Sequence, residues 1–250
     1  MSTLIERIRA HHRLSHHVGL WYHLAYSYPG MGRYAKQLGI TPDRGRRIIA
    51  NLARERLVRR EDIHVPDQAS LPELKLFHSE SYLEKTSRPN FLGKLFDLDP
   101  SEIPYKEIHD AQRWAVGGTV AALKAAIQDP KGIFLNLGGG FHHAEPDEGG
   151  GFCIYNDIAI GIAKLRQEGF SEHIAIIDLD YHQGNGNNIA FVNDPSVAVY
   201  SIHGSVWTHV ESDEDINIHL DGNVGDEKYL DKLTVTLPNF LNQFDPKLII

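Results

Sequence analysis

The chain has one cysteine, Cys153, and two methionines in 250 residues. A single thiol excludes an intramolecular disulfide, which fits a reducing cytoplasm. Basic residues are also scarce, 25 against 33 acidic, for a formal net charge of −8. That balance speaks against direct binding of nucleic acid, which needs clustered Lys and Arg to neutralise phosphates. The arginines that do cluster, Arg44, Arg46, Arg47, Arg54, Arg56, Arg59 and Arg60, read as the solvated face of a helix and its exit. No apolar run approaches the length of a membrane span, and the opening MSTLIERIRAHHRLSHH lacks a signal-peptide core. A soluble cytoplasmic protein is the expectation. Internal repeats and low-complexity segments are missing too.

What is present is globular in kind. The hydrophobic fraction is 42% and the charged fraction 23%, and a chain of this length can bury one substantial core. Fifteen histidines are many. Those at the start (His11, His12, His16, His17) have no Cys or carboxylate at ligand spacing, so they predict a His-rich surface helix, not a metal site.

The first half reads as a strand over residues 20–26 turning at Pro29-Gly30, and a helix capped by Thr41 with Pro42 at its first position. Ile48, Ile49, Leu52 and Leu57 mark its apolar face. Mixed helical character follows over 70–85, then loop over 90–105, where acids accompany Pro100 and Pro104. A long helix over 106–129 contains Gly117-Gly118. Each glycine there costs roughly 1 kcal/mol against alanine, which predicts close packing on a neighbour. The second half alternates. Strands are predicted over 133–137, 174–178, 197–202 and from 248, with helices over 156–168, 185–192 and 228–242. Short apolar strands between helices indicate a parallel sheet covered on both faces, with ligands gathering at the carboxyl ends of the strands.

Three clusters fall at such ends. GGGFHH at 138–143 follows the strand ending near Leu137. Its glycines allow a tight turn, and the adjacent imidazoles of His142 and His143 point in different directions. They suit two acid–base roles at one reacting centre better than joint service to one metal. A His-rich surface loop is the plainer alternative. DLDYHQGNG at 178–186 delivers Asp178, Asp180 and His182 at alternate positions from a buried strand, so all three converge beyond its end. A carboxylate with an imidazole begins a catalytic zinc site, which needs three protein ligands and an open position. A turn and helix cap built of Asp, Asn and Gly is the weaker reading. Between them, GGGFC at 149–153 reads as a loop or a pocket wall, with Cys153 a small buried hydrophobe.

Together GGGFHH, GGGFC and DLDYHQGNG resemble the zinc-dependent histone deacetylase family from about Leu20 onward. QGNG at 183–186, FHSESYLEK at 77–85 and RPNFL at 88–92 are similar to its class IV branch. The resemblance implies an α/β fold of three layers, the arginase/deacetylase type, with a central parallel sheet flanked by helices. It implies zinc-dependent hydrolysis of N-acyl-lysine amides in a protein or peptide substrate. Asp180 and His182 would be two zinc ligands. His143 would be general base and then acid, with His142 tuning the electrostatics and Asp178 behind His142. Asn185 matches the position where most relatives place the acid behind His143. An uncharged partner there should leave His143 less basic. Gly151 would accept the substrate N–H at its carbonyl, and Phe152 would line the lysine tunnel. Asp178 and Ser201, with the backbone of Asp180 and His182, match the family's structural potassium site.

The family's third zinc ligand and its transition-state tyrosine are expected beyond Ile250. The expectation is therefore one deacetylase-like domain over 1–250, cut short at its C-terminal end. Alternatives remain: an acetylpolyamine-type amidohydrolase for small molecules, or a catalytically silent metal-binding protein. A two-manganese ureohydrolase fits less well, since tandem histidines have no role in it. Acyl-chain length, physiological substrate and oligomeric state stay open.

Overall fold

The structure, a computed structural model, describes residues 17–28, 34, 41 and 43–250. The turn at Pro29-Gly30, Pro42, and three of the opening histidines (His11, His12, His16) lie outside them. The chain folds around parallel strands with helices packed on them. In one sheet β1 (Val18–Trp21) lies between β2 (Ile63–His64) and β3 (Ile133–Asn136). The second sheet has the order β6 (Ile216–His219), β5 (Val197–His203), β4 (Ile174–Asp178), β7 (Leu248–Ile249), all neighbours parallel. β5, VAVYSIH, is buried along its whole length, as a central parallel strand must be.

Helices supply the covering layers. α1 (Arg44–Arg54) leaves all its arginines exposed, as expected. α2 (Leu71–Leu74), α3 (Glu80–Thr86) and α4 (Pro89–Phe96) follow, then α5 (Tyr105–Gln128), α6 (Asp157–Gln167), α7 (Asn185–Phe191) and α8 (Asp226–Phe244). α5 packs along α6 and against β3. Gly117 and Gly118 explain how closely. A Cβ at 117 would strike the Asp67 carbonyl oxygen, and one at 118 the Tyr26 hydroxyl and Asn136 side chain.

Several expectations need correction. The first strand ends at Trp21, and Leu24–Ser27 form a turn of 3₁₀ helix, capped by His23 Nδ1 accepting from the Ala25 N–H. α1 starts at Arg44, with Asp43 in the capping position; the Thr41 carbonyl accepts from the Arg44 N–H instead of its hydroxyl capping the helix. The segment expected as loop over 90–105 contains α4, started by Pro89 at its first position and ended by Asp97 in the left-handed region. β6 was not anticipated. β3 is not the buried strand expected: Ile133 and Leu135 are 51% and 39% exposed. It is an edge strand, and a groove lined by Ile133, Phe134, Ile249 and Ile250 separates it from β7.

Candidate active site

The loops after β3, β4 and β5 open into one cavity of about 700 Å³, as the carboxyl ends of a parallel sheet should. The β3 loop is held by a buried carboxylate. Asp157, the first residue of α6, accepts the N–H groups of Gly140 (3.1 Å) and Phe141 (2.7 Å) and the Thr119 hydroxyl. Gly140 sits at φ +96°, a conformation closed to most side chains, and this turns the chain so that the next residues face the cavity. Burial pushes the Asp157 carboxyl above its usual range, while the Thr119 and backbone hydrogen bonds oppose the shift.

His142 and His143 emerge side by side, ring centroids 4.1 Å apart, both buried and both lining the cavity. Their other nitrogens meet different partners. His142 Nδ1 donates to Asp178 Oδ2 at 2.6 Å. Burial alone would favour the neutral ring, but the hydrogen bond and charge of Asp178, with the charge of Asp180 3.9 Å from the other ring nitrogen, hold its pKa above the ordinary value. His143 Nδ1 is 2.7 Å from Asn185 Oδ1. Burial and the adjacent His142 push this imidazole down to about 4, with the Asn185 hydrogen bond working in the other direction.

Asp180 and His182 complete the floor, each about half exposed toward the cavity. The β4 end bends them together: Asp180 Oδ1 accepts the His182 N–H at 2.8 Å and lies 3.2 Å from His182 Nδ1. Burial raises the Asp180 carboxyl, but the His182 N–H and the charges of His142 and His182 outweigh it and hold the pKa low. A carboxylate oxygen beside an imidazole nitrogen is a donor pair that zinc takes, so these residues fit two of the three ligands of a catalytic site. Among the described residues no cluster of three His, Cys, Asp or Glu side chains is placed to hold a metal. Asp178 and Ser201 are register partners across β4 and β5. Ser201 is fully buried, and its hydroxyl lies 2.8 Å from His203 Nδ1.

The wall comes from the GGGFC loop. Gly151 packs on the His143 ring so closely that any Cβ would strike it. Phe152, 40% exposed, lines the cavity at φ +65°, a strained value for an aromatic residue. Gln112 on α5 holds it there, donating to the Phe152 carbonyl at 2.7 Å and accepting the N–H groups of Ile154 (2.8 Å) and Tyr155 (3.3 Å). Cys153 is a buried free thiol with its pKa pushed up to about 12 by burial, which suits a packing residue and not a nucleophile.

The structure thus gathers His142, His143, Gly151, Phe152, Asp180 and His182 at one cavity, places Asp178 and Asn185 directly behind the histidines, and leaves Ser201 outside it. Sequence reasoning missed five contributors, Gln112 beneath the wall among them. Trp207 stacks on His143, centroids 4.0 Å apart and planes 20° from parallel. Its loop is fixed by Gln183 Oε1, which accepts the N–H groups of Trp207 and Thr208, each at 2.9 Å. Glu145 accepts from Asn185, and Asp157 anchors the histidine loop. Only Trp207, an aromatic just past a buried strand, carried a signal that local reading could have used.

A parallel α/β sheet with tandem histidines and a carboxylate–imidazole pair at its strand ends defines an arginase/deacetylase-type fold. Solved relatives agree: an HDAC homologue from Aquifex aeolicus superposes with a TM-score of 0.69 over 93% of this chain and 67% of that one, at 24% identity. An HDAC homologue complexed with SAHA gives 0.64 over 90% and 65%, at 23% identity. The chain matches the histone deacetylase domain over residues 39–250 and belongs to that family. Among curated relatives, the acetoin utilization protein AcuC of Staphylococcus aureus (strain MSSA476) is 34% identical over 214 residues, covering 76% of this chain and 54% of that protein. An uncharacterised Picosynechococcus protein is 38% identical over 136 residues, 54% of this chain and 45% of that one. The chain spans about half the length of these curated relatives.

Proposed function

We propose that the protein is a zinc-dependent amidohydrolase acting on N-acyl-lysine in a protein or peptide. The observation that carries this is the pair of adjacent, differently backed histidines facing Asp180 and His182 across one cavity. When bound, zinc supplies a Lewis acid that polarises the amide carbonyl and lowers the pKa of water to about 7. The rest falls to the chain. His143, held neutral, accepts a proton from the attacking water at Nε2 and later gives it to the departing lysine amine. His142, favoured in its charged form by Asp178, stabilises the oxygen that gains negative charge. Asp180 and His182 hold the metal, and the Gly151 carbonyl receives the substrate amide N–H. Phe152 and Trp207 flank the lysine stem, a flat apolar passage that suits four methylenes. Potassium held by Asp178, Ser201 and nearby carbonyls would brace the β4 end, and a cytoplasmic setting belongs to the same proposal.

The QGNG wording supports a class IV-like enzyme, and that resemblance extends the proposed substrates to long acyl chains. The second reading is a small-molecule deacetylase, favoured by the similarity to AcuC, a protein named for acetoin utilization. Hydrolysis of matched acetyl-lysine and myristoyl-lysine peptides and of an acetylated diamine, with and without a zinc chelator, separates them. Chelator-sensitive release from a peptide supports the lysine deacylase. Release from the diamine alone would move the assignment to the small-molecule enzyme. Release from none would leave the silent binder.

A further inference from the structure

The amide of Asn185 has two unlike ends, and a half-turn about its last side-chain bond exchanges them with almost no change of shape. Something must therefore decide which end faces His143. Asn185 opens α7 and is buried at 6% exposure. Its Nδ2 lies 2.8 Å from Glu145 Oε1 and, more weakly, 3.4 Å from the carbonyl oxygen of His143. Its Oδ1 lies 2.7 Å from His143 Nδ1. An ionised carboxylate can only accept, so Glu145 must take the amide N–H. The oxygen is then left for His143 and can only accept as well. Nδ1 has to carry the proton, and Nε2 keeps its lone pair for the cavity. Glu145 is well placed for this: it stands two residues beyond His143 in the same loop, half-buried, with its own N–H donating to the Glu148 carbonyl at 2.8 Å.

We propose that Glu145 is a positioning residue that fixes the Asn185 amide and, through it, the Nδ1–H tautomer of His143. The inference rests on the reading of His143 as the base and extends it to a third residue. A charge-assisted hydrogen bond is about twice as strong as a neutral one, so Glu145 outweighs the long contact to the His143 carbonyl in setting the amide. The arrangement does for His143 at one remove what Asp178 does for His142 directly.

The test reads the tautomer itself, from ¹⁵N chemical shifts of the histidine ring in the full chain at pH 8, with His143→Ala identifying the signal. The parent should show protonated Nδ1 and bare Nε2. In Glu145→Lys the ammonium can only donate. It should take Oδ1, turn Nδ2 toward His143, and move the ring proton to Nε2. Turnover should then fall about 100-fold, the lower end of what a positioned base contributes, with KM within about threefold. Adding Asn185→Asp to Glu145→Lys supplies a carboxylate that accepts from both sides, and should restore the Nδ1–H signal and at least about tenfold of the turnover. Should the lysine variant fail to fold, Glu145→Gln still decides the matter, because an amide accepts either orientation and should give both tautomers together. A Glu145→Lys or Glu145→Gln protein with only the parental tautomer, or a double variant that regains neither tautomer nor turnover, would overturn the proposal. The ring signal is read whether or not acyl-lysine is the substrate, so an error in the assigned reaction shows up separately, as the expected tautomer changes in a protein with no peptide turnover.

Discussion

His142 and His143 are neighbours in sequence, share one cavity, and have opposite surroundings. Behind His142 stands a carboxylate, Asp178, in direct contact. Behind His143 stands an amide, with a carboxylate only beyond it. The first ring is held above the ordinary imidazole pKa and the second well below it. In the proposed reaction, two like groups pushed apart in this way would divide the work, one accepting a proton while the other carries charge. The carboxylate behind His142 raises that ring, and burial with the neighbouring His142 lowers His143, so adjacent residues acquire different chemistry in one cavity.

The largest effect should come from erasing the neutral ring. His143→Ala should lower turnover about 1,000-fold, within the range for a lost general acid–base group, while metal content measured by atomic absorption stays at the parental level. His182→Ala should do the reverse first and lose the metal. A protein that keeps full zinc after that change contradicts its role as ligand. Asp178→Asn removes the charge behind His142 and makes the two sides alike. Turnover should drop about tenfold to a hundredfold as His142 loses its support for the charged form, readable from steady-state kinetics. Smaller again is Trp207→Ala, which strips a stacked ring from His143 and one side of the passage. A fall of about tenfold in kcat/KM for peptide substrates is expected, and no change would remove Trp207 from the binding surface.

A third histidine provides a contrast outside the cavity. His78 is 2% exposed, accepts the Asn156 N–H at Nε2 (3.0 Å), and is pushed by burial down to about 4, against the pull of nearby carbonyls. Its pKa is lower folded than unfolded, so the unfolded chain binds more protons between these values. Stability should therefore fall as pH drops from about 6.5 to about 4, by on the order of 3 kcal/mol for this residue. Chemical denaturation at stepped pH checks it. His78→Gln should flatten the slope in part, since His109 and His143 shift in the same direction.

Much of this was legible beforehand because the clusters sit where short apolar strands end, and both features are local. IAIID announces a strand that ends at Asp178, and Asp180 and His182 lie just beyond it, where ligands gather in a parallel sheet. α4 was missed because Pro100 and Pro104 suggested loop, whereas Pro89 opens a helix. β6, only INIH amid acidic residues, offers too short a pattern to read. The edge position of β3 depends on which strands pair, something its own four residues do not encode. Glu145 reads as one acid in a polar loop, and its meaning arises from a contact with a residue 40 positions away.

Gln112 has a last consequence. It is fully buried on the long helix α5 and grips the cavity wall at three backbone points from beneath. A wall hung in this way is a rigid jaw and not a flexible lip, since it moves only when the helix moves. Widening the passage for a bulkier guest would thus begin at position 112, some forty residues upstream of the ring that the guest would touch.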